Sequence, residues 1–181
     1  MLIDSHCHLN FPDLVNRLPE VLANMAAADV RQALAISVSR DTFAEVLALA
    51  EAHHNIYATV GVHPDQQDTA EFTTAELVAH ARHPKVVGIG ETGLDYHWCQ
   101  GDLDWQHRRF ITHIEAAKQS GLPLIVHTRD AGADTLRLLR EHHAHAGVIH
   151  CFTEDTAFAK AALDLGFYIS FSGIVTFKNA T

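Results

Sequence analysis

The sequence predicts an α/β fold, a TIM-type (β/α) barrel, on three observations. Apolar strand-like runs alternate with amphipathic helical stretches along the whole chain. The strand-like runs are rich in Val, Ile and Leu, the composition of parallel strands covered on both faces. Residues able to do chemistry gather at the C-terminal ends of those runs, the rim where barrels carry their sites, which favours a closing barrel over an open sheet.

Leu2 to His6 reads as the first strand and Val15 to Ala28 as the first helix. Ala33 to Val38 is a second strand, followed by a helix over 41–53. Ile56 to Val62 and Val86 to Gly90 are the third and fourth strands, separated by a helix over 73–82. After a loop, a long helix covers 102–120, with Leu103, Phe110, Ile114 and Ala117 on one face. Strands at 123–126, 147–150 and 167–171 then alternate with helices at 130–142 and 157–165. No linker, repeat or low-complexity tract divides residues 1–181, so a single domain is expected. A barrel of this kind typically takes about 250 residues and rarely fewer than about 200. With seven strands and no concluding helix, the chain is expected to lack the final strand and helices. A barrel built on seven strands is the alternative.

A hydrophobic share of 48% is that of an ordinary globular chain and argues against disorder. The apolar runs fall well short of the roughly 20 residues a membrane helix needs, and Met1 to Leu9 does not read as a secretory signal. Cys7, Cys99 and Cys151 are far apart, which suggests no disulfide framework and no cysteine zinc site. A cytoplasmic protein is expected. Cys7 and Cys151 adjoin histidines, and strand alternation would turn their thiols into the wall. The formal charge of −9 argues against a broad basic face for nucleic acid, but not against a site whose bound cations supply positive charge locally.

Asp4-Ser5-His6-Cys7-His8 sets two imidazoles on one side of a strand, a natural clamp for a metal. His63 follows the third strand and Glu91 the fourth, while His127 and His150 end the fifth and sixth. The other ten histidines, among them His97, His107 and His113, fall on helices or loops and read as solvated surface. Imidazoles with a carboxylate suit borderline divalent ions such as Zn²⁺, Mn²⁺, Co²⁺ or Ni²⁺, and Mg²⁺ through its abundance. A glutamate between two histidine sets can bridge two ions, which together lower the pKa of a water and bind attacking and leaving oxygens. Gly88-x-Gly90-x-x-Gly93 fits a dinucleotide fingerprint, but no helix opens after it and Glu91 would repel a pyrophosphate. A tight turn around Glu91 is the expected use of these glycines. No P-loop, nucleophile elbow or zincin helix is present.

Taken together, Asp4 to Leu9, Gly61-Val62-His63-Pro64, Gly88 to Asp95, Val126 to Asp130, His150-Cys151-Phe152 and Gly166 to Gly173 resemble the TatD family of metal-dependent hydrolases, in its YcfH-type branch. The resemblance covers the whole chain. It implies a barrel of the amidohydrolase kind and a metal-dependent deoxyribonuclease, often a 3′–5′ exonuclease acting on single strands or 3′ ends of DNA. It also implies that His6, His8 and Glu91 hold one divalent ion, and Glu91, His127 and His150 a second. A further aspartate, the family's ligand and general base, is expected beyond residue 181, so residues 1–181 alone are expected to be inactive even where the full protein is an enzyme. His63, Asp95 and Arg129 stand near the rim as expected substrate-binding residues, His63 or Arg129 to touch a phosphate and Asp95 to orient a water or a ligand. Two other readings fit the same residues: a hydrolase of small esters, amides or aminoacyl-tRNA, and a metal-binding fragment without catalysis.

Overall fold

The structure, a computed structural model, describes residues 1–180. Its strands are β1 (Leu2–Cys7), β2 (Val30–Ala35), β3 (Ile56–Val60), β4 (Val86–Asp95), β5 (Leu124–Arg129), β6 (Gly147–Ile149) and β7 (Phe167–Ile169). Its helices are α1 (Pro12–Val15), α2 (Leu18–Ala27), α3 (Phe43–Ala52), α4 (Thr74–Ala81), α5 (Asp104–Ser120), α6 (Gly132–Glu141) and α7 (Thr156–Asp164), followed by a 3₁₀ turn at Gly173–Thr176. The strands lie in chain order in one sheet, and every neighbouring pair is parallel. The sheet is curled: the rings of His6, on β1, and His150, beside β6, stack with centroids 3.3 Å apart although four strands lie between theirs. This is part of a (β/α) barrel, as the alternation of elements predicts.

Most elements fall within about two residues of the sequence expectation, the repeat of apolar positions being enough to place them. Three depart from it. The expected first helix begins three residues late, as α2, because Pro19 has no N–H to give and its ring would meet the carbonyl of Val15 in a continuous helix; the short α1 precedes it. β2 starts and stops early: the Ser37 amide donates to the Thr59 side-chain oxygen at 3.0 Å, which takes residues 36–39 out of the ladder.

The third departure matters most for the site. β4 does not end at Gly90 but runs to Asp95, and β5 runs on to Arg129 beside it. The pairing shifts register between Ile89 and Thr92, and Gly90 and Gly93 take φ of 142° and 140° there. Only glycine adopts such angles without strain. A Cβ on Gly93 would collide with the carbonyl oxygen of His127, and one on Gly90 would come 2.5 Å from that of Ile125. The glycines therefore let two strands approach closely; they do not make a turn around Glu91.

The core lies between the sheet and α3, α4 and α5, with Ile56, Ile89, Phe110 and Ile114 fully buried. α5 also turns polar groups inward. Gln106, Arg109 and His113, spaced by three and four, share a face and are buried. His113 corrects the expectation of a solvated side chain: it is fully buried, with Nδ1 donating to the Arg109 carbonyl and Nε2 accepting from the Val62 amide at 3.1 Å.

α4 carries a full capping box, in which Thr73 accepts from the Glu76 amide and Glu76 accepts from the Thr73 amide. Thr73→Ala is expected to lower stability by about 1 kcal/mol in urea unfolding at neutral pH. A variant as stable as the parent would deny the cap any role.

Candidate metal centre

Glu91 is buried within β4, toward the end of the curled sheet to which β1, the segment after β3 and β5 bring His6, His63 and His127. Its amide donates to the Ser37 carbonyl at 2.9 Å, which fixes the backbone. Its two carboxylate oxygens face different partners. Oε2 lies 3.2 Å from His6 Nε2, while Oε1 lies 3.5 Å from His127 Nδ1 and 3.7 Å from His63 Nε2. Two donor groups result, His6–His8–Glu91 and His63–Glu91–His127, each with its ligand atoms within 4.8 Å of one another.

The sequence singled out His6, His8, Glu91, His127 and His150 as ligands, and all five meet in this region. His150 joins neither group of three; its ring lies flat against that of His6. His63, expected at the substrate, groups with Glu91 and His127. Asp95 is fully buried rather than open to a substrate. Its Oδ2 lies 2.9 Å from His127 Nε2, and its Oδ1 accepts from the amides of His97 and Trp98. Arg129 stands two residues beyond His127 on β5, with its guanidinium 5.4 Å from the centroid of the Trp98 ring.

These residues fit a cation. Both ring nitrogens of His6, and Nδ1 of His8 and of His150, are buried with no hydrogen-bond partner among the described residues. Such orphaned ring nitrogens cost free energy unless something is bound to them. His6 Nε2 is near Glu91 without the alignment of a hydrogen bond, so the two face a common space more than each other. The mixed imidazole and carboxylate set suits a borderline divalent ion.

The electrostatics agree. Burial alone would raise the Glu91 pKa, but His127, His6 and His63 hold it well below the usual carboxylate range. Burial opposes charge on His127, yet the carboxylates of Asp95 and Glu91 prevail and push it up to about 9. For His150, burial and the neighbouring His6 bring the pKa down to about 4. Cys7 and Cys151 stand outside the donor groups. The Cys7 thiol donates to the Leu34 carbonyl, and burial, with Asp4 adding to it, pushes its pKa up to about 12. Cys151 lies past the end of β6 at φ 47°, beside the Ser172 hydroxyl, so strand alternation does not govern it.

Sequence reasoning missed the residues that hold this geometry. Asp65 pairs with His63 Nδ1 at 2.6 Å. Arg109 donates to the carbonyls of His63 and Gln66 and to the Glu71 carboxylate. Gln106 accepts from the Asp95 amide and donates to the Pro64 carbonyl, tying the end of β4 and the segment after β3 to α5. One signal was present: Gln106 and His113 occupy the same helical stripe as Phe110 and Ala117, where a polar residue needs a buried partner.

The chain matches the family model for TatD related DNase over residues 3–181. It is 44% identical to the uncharacterized metal-dependent hydrolase YcfH of Escherichia coli strain K12, over 99% of this chain and 69% of that protein. It is 40% identical to the uncharacterized metal-dependent hydrolase YabD of Bacillus subtilis, over 99% and 72% of the two. The crystal structure of YjjV, a TatD homologue from Escherichia coli K12, superposes with a TM-score of 0.90 at 30% identity, covering 99% of this chain and 71% of that one.

Proposed function

This chain belongs to the TatD family of metal-dependent hydrolases, and from that premise we propose that it serves hydrolysis of phosphodiester bonds in DNA, at single strands or 3′ ends, with two divalent ions. The observation that carries the proposal is the division of Glu91, one oxygen toward His6 and the other toward His63 and His127. A carboxylate so placed can serve two cations at once, with His6 and His8 on one side and His63 and His127 on the other, and with His150 beside His6. Bound there, the ions supply positive charge for the phosphoryl oxygens and lower the pKa of a water to near neutrality.

The chain's own groups prepare that site. Asp95 holds His127 by Nε2, which fixes the ring and leaves Nδ1 toward Glu91. Asp65 does the same for His63, whose Nε2 then faces the centre. Burial of Glu91 keeps its charge from being screened by water. Arg129, at the edge of the site, offers a guanidinium to a phosphate oxygen. The proposed compartment is the cytoplasm.

The test compares end-labelled single-stranded oligonucleotides with a panel of small esters and amides and with aminoacyl-tRNA, using the purified full-length protein in Mg²⁺, Mn²⁺, Zn²⁺, Co²⁺ and Ni²⁺. Metal-dependent shortening of the oligonucleotide from its 3′ end is expected. Turnover confined to carbonyl substrates would overturn the reading in favour of an esterase or amidase. Full metal loading with no turnover of any substrate would favour a binding role.

A further inference from the structure

Trp98 is 67% exposed although it sits one loop away from the most buried polar residues of the protein. Its backbone is not free. The Trp98 amide donates to Asp95 Oδ1 at 2.7 Å, and the other oxygen of that carboxylate holds His127 at 2.9 Å. One buried side chain thus links the indole's main chain to a candidate metal ligand. The ring is flanked as well as exposed: the Arg129 guanidinium carbon lies 5.4 Å from its centroid, and the His97 ring meets it edge-on at 4.7 Å.

Arg129 has reason to be there. On β5, His127 and Arg129 lie on the same side of the sheet, while Thr128 between them turns out to α6 and meets the Thr135 hydroxyl at 3.0 Å. Two residues of strand separate their Cα atoms by about 6.6 Å. The acidic groups nearest Arg129 in sequence and register have other partners. Asp130 faces His97 Nδ1 at 3.2 Å, and Asp95, paired with Arg129 in register, faces His127. The guanidinium therefore keeps its charge for a ligand, and its stacking on the indole leaves its N–H donors free at its edge.

From this geometry we propose that Trp98 and Arg129 form a nucleotide subsite for single-stranded nucleic acid: a base stacks on the indole and the adjoining phosphate pairs with the guanidinium. The inference rests on the proposed action on DNA and adds the means by which a strand of any sequence is held. A flat apolar ring beside a cation recognises the faces of bases and the backbone charge, not base edges, so the subsite is tolerant of sequence. It also explains how a chain of net charge −9 can retain a polyanion, by placing one uncompensated cation next to the metal centre.

The experiment measures binding by fluorescence anisotropy, with a dye-labelled phosphorothioate decathymidylate and the purified protein in its metal-loaded form. Trp98→Ala is expected to weaken binding on the order of tenfold, within the range of one lost base stack. Trp98→Phe, which keeps an aromatic face, is expected to stay within about threefold of the parent. Arg129→Ala is expected to flatten the dependence of log affinity on log salt by about 0.7, the release of one counterion equivalent from a single strand. An oligonucleotide abasic in its last two positions should bind the parent and Trp98→Ala alike. Equal affinity of Trp98→Ala and the parent for the intact strand would overturn the subsite while leaving the nuclease reading in place. A parent that binds no oligonucleotide, yet turns over esters, would instead remove the nuclease reading and the subsite with it.

Discussion

Glu91→Gln in the full-length protein is expected to abolish metal-dependent turnover, by roughly 10³-fold or more, while leaving the secondary structure unchanged. The size follows from the several kcal/mol of charge stabilisation that metal ions supply in such reactions, at about 1.36 kcal/mol per decade of rate. Glutamine preserves the backbone bond from residue 91 to the Ser37 carbonyl and nearly the same volume, so the strand is not disturbed. It removes the charge that His6, His63 and His127 surround. Metal content by elemental analysis and rate on the best substrate should fall together. A variant that keeps both would show that Glu91 is not the shared ligand. One that keeps its metal but loses its rate would place the effect on chemistry alone.

The second large effect is expected far from any substrate. His113→Ala should destabilise the protein by about 3 kcal/mol at neutral pH. The Val62 amide would be left buried without an acceptor, which costs about 1–3 kcal/mol, and the lost ring would leave a cavity. Burial brings the His113 pKa down to about 4, so the folded protein favours the neutral ring. The unfolded chain takes up a proton near pH 6.5. The stabilisation is therefore fully present above pH 6.5 and is lost as pH falls from there through 4. Urea unfolding of both proteins across that window checks this: the gap between them should narrow on acidification. A gap of constant width would mean that the imidazole is not held neutral. Because Val62 adjoins His63, metal affinity is expected to drop as well.

These residues also mark what was legible in the sequence. Alternating runs placed all seven strands, because a buried parallel strand announces itself by composition. The candidate donors were legible because His6, Glu91, His127 and His150 each fall at or near a strand end, and because two imidazoles separated by one residue share a face. What escaped was the distance over which β4 and β5 stay paired. Glu91-Thr92-Gly93-Leu94-Asp95 has too much glycine and charge to read as a strand, and it is one only because its backbone lies against Val126 to Arg129. The role of α5 escaped for a related reason. A histidine on a helix is usually wet, and only the fold shows that position 113 faces the loop carrying His63. That His63 lies nearer His127, and His150 against His6, depends on the curl of the sheet, which no local pattern encodes.

The tight seam between β4 and β5 has a consequence for how this centre can vary. Nothing larger than hydrogen fits at positions 90 and 93 while the main chains of Ile125 and His127 stay where they are. A single-base change at either codon, to alanine, serine or any other neighbour of glycine, would wedge the two strands apart and carry Glu91 away from His127. Divergence of the activity must therefore proceed through the loops around this seam, since the seam itself admits no intermediate steps.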